Sequence, residues 1–572
     1  MGKKVSKTLV AGATAAATVV AISAAKKNAK YQQIKNAEVQ MKNYNPGNKQ
    51  VYFIGGGLAS MAGAAYLIRD CNFQGQNIHI YEGMHILGGS NDGNGTSEKG
   101  FVCRGGRMLN EETYENFWEL FSSIPSIEEP GKSVTQEILD FDHMHPTCAK
   151  ARLLDKDGKI VDVKSMGLHK EDRIALAKLM MTPEDKLDDM TIQEWFAHAP
   201  QFFETNFWIM WQTTFAFQKW SSLFEFKRYM ERMIFEFSRI ETLEGVTRTP
   251  YNQYESVILP LKQYLVDKGV NFITNCTVSD IDFKEDSNIT VTTLHLDRYG
   301  EEELVNLKEG DLCFMTNGCM TDCATLGNYS EPAKMDSSNP ISAELWHKAA
   351  AKKTGLGDPT PFFSKPEETN WESFTVTCKS DKLHKLIEQI SGNVAGSGAL
   401  MTFKDSNWLM SIVVAAQPHF KNQTAKERIF WGYGLYTGNN GDYVQKPMRD
   451  CNGEEILDEM LYHLHLQDNT DEIKMDIVNV IPCIMPYVDA QFQPRKMSDR
   501  PFVVPKNSTN FAMISQFVEI PKDMVFTEEY SVRAARIAVY TLLGISTAGI
   551  CPVTQFMKDP VVLVNALKTA YR

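Results

Sequence analysis

The chain lacks an excess of positive charge. Its 59 lysines and arginines face 71 aspartates and glutamates, a formal charge of −12. With no basic stripe to track a phosphate backbone, nucleic acid is excluded as the main partner. Cysteines are not scarce, but they lack pattern. There are eleven, an odd number, with no Cys-x-x-Cys pair and no Cys/His spacing of a zinc site; the one close set is Cys313, Cys319 and Cys323. This predicts free thiols in a reducing cytoplasm and no metal centre. Internal repeats are absent, as is low-complexity sequence beyond the N-terminus. Long apolar runs are also absent, with one exception. Leu9–Ala25, LVAGATAAATVVAISAA, is flanked by Lys3 and Lys4 and by Lys26, Lys27 and Lys30. At ~17 residues it stands at the short limit of a membrane span. An uncleaved anchor, a signal peptide and an Ala-rich surface helix all fit it, although free thiols and a cofactor domain argue against export.

What is present begins at Val51–Gly63, VYFIGGGLASMAG. A short apolar run stops at three glycines, and small residues then open a helical pattern. This is a strand, a tight turn and a helix N-terminus, the arrangement that presents backbone N–H groups to a pyrophosphate. IHIYE ends a second strand at Glu82, placed to bond a ribose hydroxyl. Gly55, Gly57, Ala59 and Ser60 are the expected pyrophosphate contacts. At 572 residues the chain has length for three or four domains of ~100–200 residues each. Residues 1–47 hold the apolar segment and a polar linker. The dinucleotide unit begins at 48 and runs to 130. Residues 131–250 read mainly as helices, with Trp195, Trp208, Trp211 and Trp220 inside one aromatic stretch. That stretch reads either as a thick buried core or as the wall of a cavity for a long apolar ligand.

Strands return over 251–330. SVILPLKQYLVDKGVNFITN is a helix leading to a strand that TVSDIDF continues; a hairpin turns at Tyr299-Gly300, and DLCFMTNG follows. This looks like the second part of the dinucleotide domain. Residues 331–505 form a mixed substrate-binding region, with a buried strand near WLMSIVV and an amphipathic helix over Glu454–Leu466. Residues 506–550 supply the last strand and helix of the dinucleotide domain, and 551–572 a C-terminal helix.

The motifs agree in order with a known family. GMHILGGSNDG follows Glu82 and carries Gly88, Gly89 and Ser90; then come RGGRMLNEETYENFWELF, WQTTFAFQKWSSLFEFKRYM, RTPYNQYES, TNGCMTD, WGYGLYTGNNGDYVQKPM and ISQFVEIPKDMVFTEEYSVRAA. Over about residues 48–560 the chain resembles the oleate hydratase, or myosin-cross-reactive antigen, family. The resemblance implies an α/β protein: a glutathione-reductase-type FAD-binding Rossmann domain with an inserted mixed-sheet substrate domain and a helical domain. It implies FAD, a free unsaturated fatty acid such as oleate or linoleate, hydration of its cis double bond to a 10-hydroxy acid, and no net redox change. It also implies a homodimer acting on fatty acid held in or near a membrane. The N-terminal segment lies outside the resemblance; the chain is expected to be cytoplasmic and membrane-associated, with Leu9–Ala25 as one possible anchor. A FAD-dependent lipid oxidoreductase or isomerase is the alternative, since this fold hosts both.

Residue by residue, the family's proposed acid matches Tyr229. Many members carry a Glu after Gly-Gly-Arg; here Met108 stands there, so Glu111 is the expected water-activating base, with Glu112 beside it. The RGGRM loop then mainly contacts flavin, through Gly105, Gly106, Arg107 and Met108. Gln253 and His419 match the family's carboxylate-binding Gln and His, while Val413 and Ala415 fall where a Thr and an Asn would sit. Val278 is expected by the adenine, Gly318 at the second turn toward the cofactor, and Ser515 near the isoalloxazine.

Overall fold

A computed structural model gives the structure, which describes residues 29–91, 93–106 and 108–572. Leu9–Ala25 and Arg107 therefore lie outside the described residues. Five parallel strands form the central sheet: Phe511–Met513, Leu312–Met315, Val51–Ile54, Ile78–Tyr81 and Asn271–Ile273, in that spatial order. Read from the far edge in chain sequence this is 3-2-1-4-5, the order of a doubly wound sheet. Val51–Ile54 sits at its centre and is wholly buried, as a near-continuous apolar run requires.

Gly55 turns the chain at φ +95°, and a Cβ there would lie 2.9 Å from Thr316 Oγ1. The helix Leu58–Cys71 follows. Its small residues let it lie close on the sheet, since a Cβ on Gly63 would meet the Phe53 ring at 2.7 Å. It stops at Asn72, which takes the left-handed conformation. The long helix Glu528–Leu542 packs across it.

Thr277–Phe283 does not continue the strand before it. Asn275 turns at φ +52°, and the Asn275 and Cys276 N–H groups donate to the carbonyls of Met84 and Glu82 (3.0 and 2.9 Å). The chain then enters a separate antiparallel sheet with Val291–Arg298 and Glu301–Asn306. The Tyr299-Gly300 turn between the last two has φ +58° and +83°, as a two-residue hairpin needs.

The third large unit is a seven-stranded sheet ordered Thr325–Leu326, Ile477–Met485, Trp371–Cys378, Arg428–Gly434, Met410–Val413, Leu400–Phe403 and Leu153–Leu154. Its first and last strands come from outside residues 331–505. One face carries Phe374, Val376 and Phe430 into a second core. The other carries Trp371, Trp431 and Tyr433 toward the interior cavity. Of the four tryptophans in the aromatic stretch, Trp208 and Trp211 are core, and none of the four lines the cavity. The cavity's tryptophans come from the sheet instead.

Candidate active site

A cavity opens between the two large sheets. One wall is built from backbone. Gly57 is the N-cap of the Leu58–Cys71 helix; no side chain caps it and no acid sits in its first turn. Its free N–H groups and helix dipole make an anion site, with Gly57, Leu58 and Ala59 on the cavity surface. The second glycine loop lies against it. Gly88 N–H donates to the Gly56 carbonyl (3.0 Å), and a Cβ on Gly89 would stand 3.3 Å from the Gly57 Cα. Side chains at these positions would fill the groove, so the residues fit a dinucleotide pyrophosphate.

Gly88, Gly89, Ser90, Met108, Gly318 and Ser515 also line this cavity. Gly318 has φ +150°, and a Cβ there would collide with the Phe517 ring. Ser515 Oγ donates to Asn317 Oδ1 (2.7 Å) and accepts from Phe517 N–H (2.9 Å), tying two strand ends together. Gly55, Ser60, Glu82 and Val278 are not on the lining. Ser60 is fully buried, and Val278 is buried in the antiparallel sheet. Glu82 accepts from Gly56 N–H (2.7 Å) and Met84 N–H (2.8 Å), and burial raises its pKa. Arg104, whose role the sequence did not reveal, braces the second loop by donating to the Gly89 and Thr321 carbonyls (2.7 and 3.1 Å).

The opposite wall is aromatic. Tyr229 projects from the helix Leu223–Arg232, with Ser222 as its cap. It is 2% exposed, and Phe215, Phe217 and Phe492 surround its ring at 5.2, 5.0 and 5.8 Å. Its hydroxyl donates to the Val525 carbonyl at 2.5 Å. Burial pushes its pKa well above 10, with negative charge at Glu225, Asp523 and Asp489 adding to this, so the phenol is protonated at neutral pH. The adjacent arginines fix the helix. Arg228 pairs with Glu519 (2.6 Å) and Arg232 with Asp523 (3.1 Å), both fully desolvated.

Glu111 is exposed and does not line the cavity. The turn that carries it points outward, because Asn110 is the residue held inside. Asn110 Nδ2 donates to the Gly245 carbonyl (3.0 Å) and to Glu236 Oε1 (2.9 Å). Glu236 is a buried carboxylate on the cavity wall, as is Glu528, which accepts from Asn91 at the glycine-loop side. Arg239 pairs with Glu236 at 2.5 Å, and burial nevertheless raises the pKa of that carboxyl. Gly245 makes its room: a Cβ there would overlap Glu236 Oε1. Glu236 lies some 130 residues from the Gly105–Arg107 loop, at the end of the aromatic stretch but past its quoted motif, and no sequence signal marked it as a site residue.

A second chamber, about 660 Å³, shares Asn91, Gly106, Val413 and Trp431 with the first. Gln253 and His419 both line it, as do Ala415 and Arg248. Gln253 is buried with Oε1 unpartnered. Burial, helped by the nearby Arg248 charge, pushes the His419 imidazole down to about 4, so it is neutral at pH 7.

Among the described residues, the one cluster of metal-type donors is Asp442, Glu459 and His463. Glu459 there accepts the N–H groups of Asp442, Tyr443 and Val444 and so closes a loop.

Comparison with known proteins fits this geometry. The MCRA family pattern matches residues 48–540. The chain is 40% identical over 560 residues to a linoleate hydratase of Lactiplantibacillus plantarum, covering 91% of this chain and 98% of that one. It is 38% identical over 509 residues to an oleate hydratase of Streptococcus pyogenes serotype M49 (strain NZ131), covering 87% and 85%. Among solved structures, an oxidoreductase from Methanosarcina mazei aligns with TM-score 0.48 and 11% identity over 85% of this chain and 99% of that one. A CLA-producing fatty acid isomerase from P. acnes aligns with TM-score 0.44 and 12% identity over 86% and 98%. The last two similarities are too low to bear on function. The family match and the two sequence relatives, each spanning most of both chains, are not: the chain belongs to the MCRA family.

Proposed function

We propose that this protein adds water across the cis double bond of free unsaturated fatty acids such as oleate and linoleate, giving 10-hydroxy acids, with FAD bound and no net redox change. The observation that carries this reading is one cavity with two unlike walls. An uncapped helix N-terminus with two glycine loops faces an aromatic, dry surface bearing Tyr229 and Glu236.

Hydrating an isolated alkene requires a proton at one carbon and water at the other, through an electron-poor transition state. Tyr229 delivers the proton. Its hydroxyl must leave the Val525 carbonyl to do so, and its high pKa makes it a weak acid unless it is aligned and water is excluded. The surrounding phenylalanines exclude that water. The ring faces of Trp371, Trp431 and Tyr433 stabilise developing positive charge. Glu236, oriented by Asn110 and Arg239, holds the attacking water and takes its proton; a pKa raised by burial makes it a better base. Gly57, Ala59, Gly88, Gly89, Gly318 and Ser515 would hold the flavin, with Glu82 and Val278 toward its adenosine end. Bound there, FAD would supply polar groups and charge to the site.

The test is mass spectrometry of the product from oleate or linoleate with reduced FAD. A gain of one water without consumption of oxygen or nicotinamide is expected. A double-bond shift or loss of hydrogen, with no added water, overturns the reading.

We further propose a cytoplasmic homodimer that meets a membrane surface to collect its substrate. No helix among the described residues is long and apolar enough to cross a membrane. The C-terminal helix Pro560–Ala570 and the residue after it expose Val561, Val564, Leu567 and Tyr571 along one side, with Lys568 and Arg572 beside them, as an interfacial helix does. Co-sedimentation with anionic vesicles, before and after removal of residues 556–572, tests this contact.

A further inference from the structure

The second chamber is lined by a cation that no side chain pairs directly among the described residues. Arg248 stands at the head of RTPYNQYES. Its backbone N–H donates to Asp142 Oδ1 (2.9 Å), but its guanidinium makes no hydrogen bond or ion pair among the described residues, and Nε is buried.

Burying a cation without a counter-charge is costly, so folded chains pair such groups. Arg248 is half-buried with only its Nε sealed from solvent, and the more deeply buried arginines follow this rule. Arg228, Arg232, Arg495 and Arg533 each meet a carboxylate within 3.1 Å, and Arg152, without one, donates to the Leu400 and Met210 carbonyls and to threonine hydroxyls. Arg248 does neither. Burial lowers its pKa only to about 10, with Asp142 acting in the opposite sense, so it is charged at neutral pH. Its neighbours on the chamber lining, Gln253 and the uncharged His419, are neutral; the nearby carboxylate of Asp142 accepts its backbone N–H and makes no ion pair with the guanidinium. Val413 and Ala415, at the positions where the family resemblance placed a Thr and an Asn, add no donor side chain.

We propose that Arg248 is the counter-ion of the fatty acid carboxylate, holding the substrate head in the second chamber while the chain passes Val413 and Trp431 into the aromatic cavity. Gln253 and His419 add neutral donors beside it. The two polar side chains missing from the wall are thus replaced by one charged group, which selects ionised acids over esters and alcohols. This inference rests on the fatty acid reading of the cavity.

The test uses holoenzyme carrying Arg248→Gln or Arg248→Lys. Oleate turnover is measured, together with calorimetric binding of stearate and methyl stearate, neither of which has a double bond to react. Losing a charge-assisted contact of this kind costs about 10- to 100-fold. Arg248→Gln is expected to weaken stearate binding and raise the oleate KM by about that factor. The fall in kcat should be far smaller, methyl stearate binding should not change, and Arg248→Lys should recover part of the loss. Unchanged stearate affinity in Arg248→Gln overturns the proposal, as does an equal loss for the methyl ester. An unaltered flavin spectrum and melting temperature identify a folded variant, and the Lys variant carries the test if the Gln variant fails to fold. If wild type binds stearate, Arg248→Gln does not, and neither hydrates oleate, the anchor stands and the hydratase reading falls.

Discussion

The two walls of the main cavity are built by opposite means. The glycine-loop wall presents peptide N–H groups, and its side chains matter by being absent. The substrate wall presents side chains drawn from residues 110, 229, 236, 371 and 431, which meet only in the folded chain. The difference teaches why one wall tolerates little sequence change at adjacent positions, while the other is dispersed and adjustable. It also separates two kinds of failure: loss of cofactor and loss of chemistry.

The sharpest test of that separation is Tyr229→Phe. It removes the proposed proton donor but keeps the ring, so kcat should fall by about 10²–10⁴-fold while flavin absorbance and stearate binding persist. Rapid-quench assay of 10-hydroxy product reads this, and retained turnover would break the division of labour. Gly89→Val attacks the other wall. A branched side chain at φ +57° and 3.3 Å from the Gly57 Cα must displace the loop, so FAD affinity should drop at least tenfold, measured by fluorescence titration.

Acid should act on the side-chain wall. The His419 pKa lies below its unfolded value of about 6.5, so the unfolded chain binds the extra proton first. Its contribution to stability is complete above pH 6.5 and is lost as pH falls toward about 4. The melting temperature of His419→Phe should therefore decline less steeply than wild type across that interval; parallel slopes would show that the imidazole is not held neutral. The smallest effect belongs to Glu111→Gln. Because Glu111 is exposed, turnover should stay within about twofold of wild type by the same assay. Glu236→Gln under identical conditions should show the loss that Glu111→Gln does not.

Legibility followed the same division. The strand, glycine turn, helix and second glycine pair were readable because a backbone site is written in consecutive residues. The placement of Tyr229 on the cavity lining, where its role as the acid is a proposal, was readable through a long motif that keeps its place on one helix. Glu236, Arg104 and Arg248 were not, since each acts by burial next to a group more than a hundred residues away or, for Arg104, by bracing carbonyls. The tryptophan-rich stretch serves both readings: Trp208 and Trp211 fill the helical core, while Phe215, Tyr229 and Glu236 of the same stretch line the cavity. Large aromatics fill a helical core as readily as they line a cavity, and hydrophobicity does not record which side of the helix is empty. TVSDIDF read as a continuation because strand propensity is local, whereas the left-handed turn at Asn275 is fixed by contacts with Met84 and Glu82.

The short segment from Glu519 to Thr527 ties Tyr229 to the glycine-loop wall, and so the proposed acid to the proposed cofactor site. At one end Glu519 and Asp523 grip Arg228 and Arg232, the arginines flanking Tyr229, and Val525 holds the phenol itself. At the other end Thr527 caps the helix Glu528–Leu542, whose first turn faces the cofactor groove. The segment works as a tie rod: it transmits any displacement of that helix start to the proton donor. Since misplacing a reacting group by about 1 Å can cost 10²-fold, an enzyme assembled this way has its acid in register only when the groove at the far end of the rod is properly filled, and substrate is best served second.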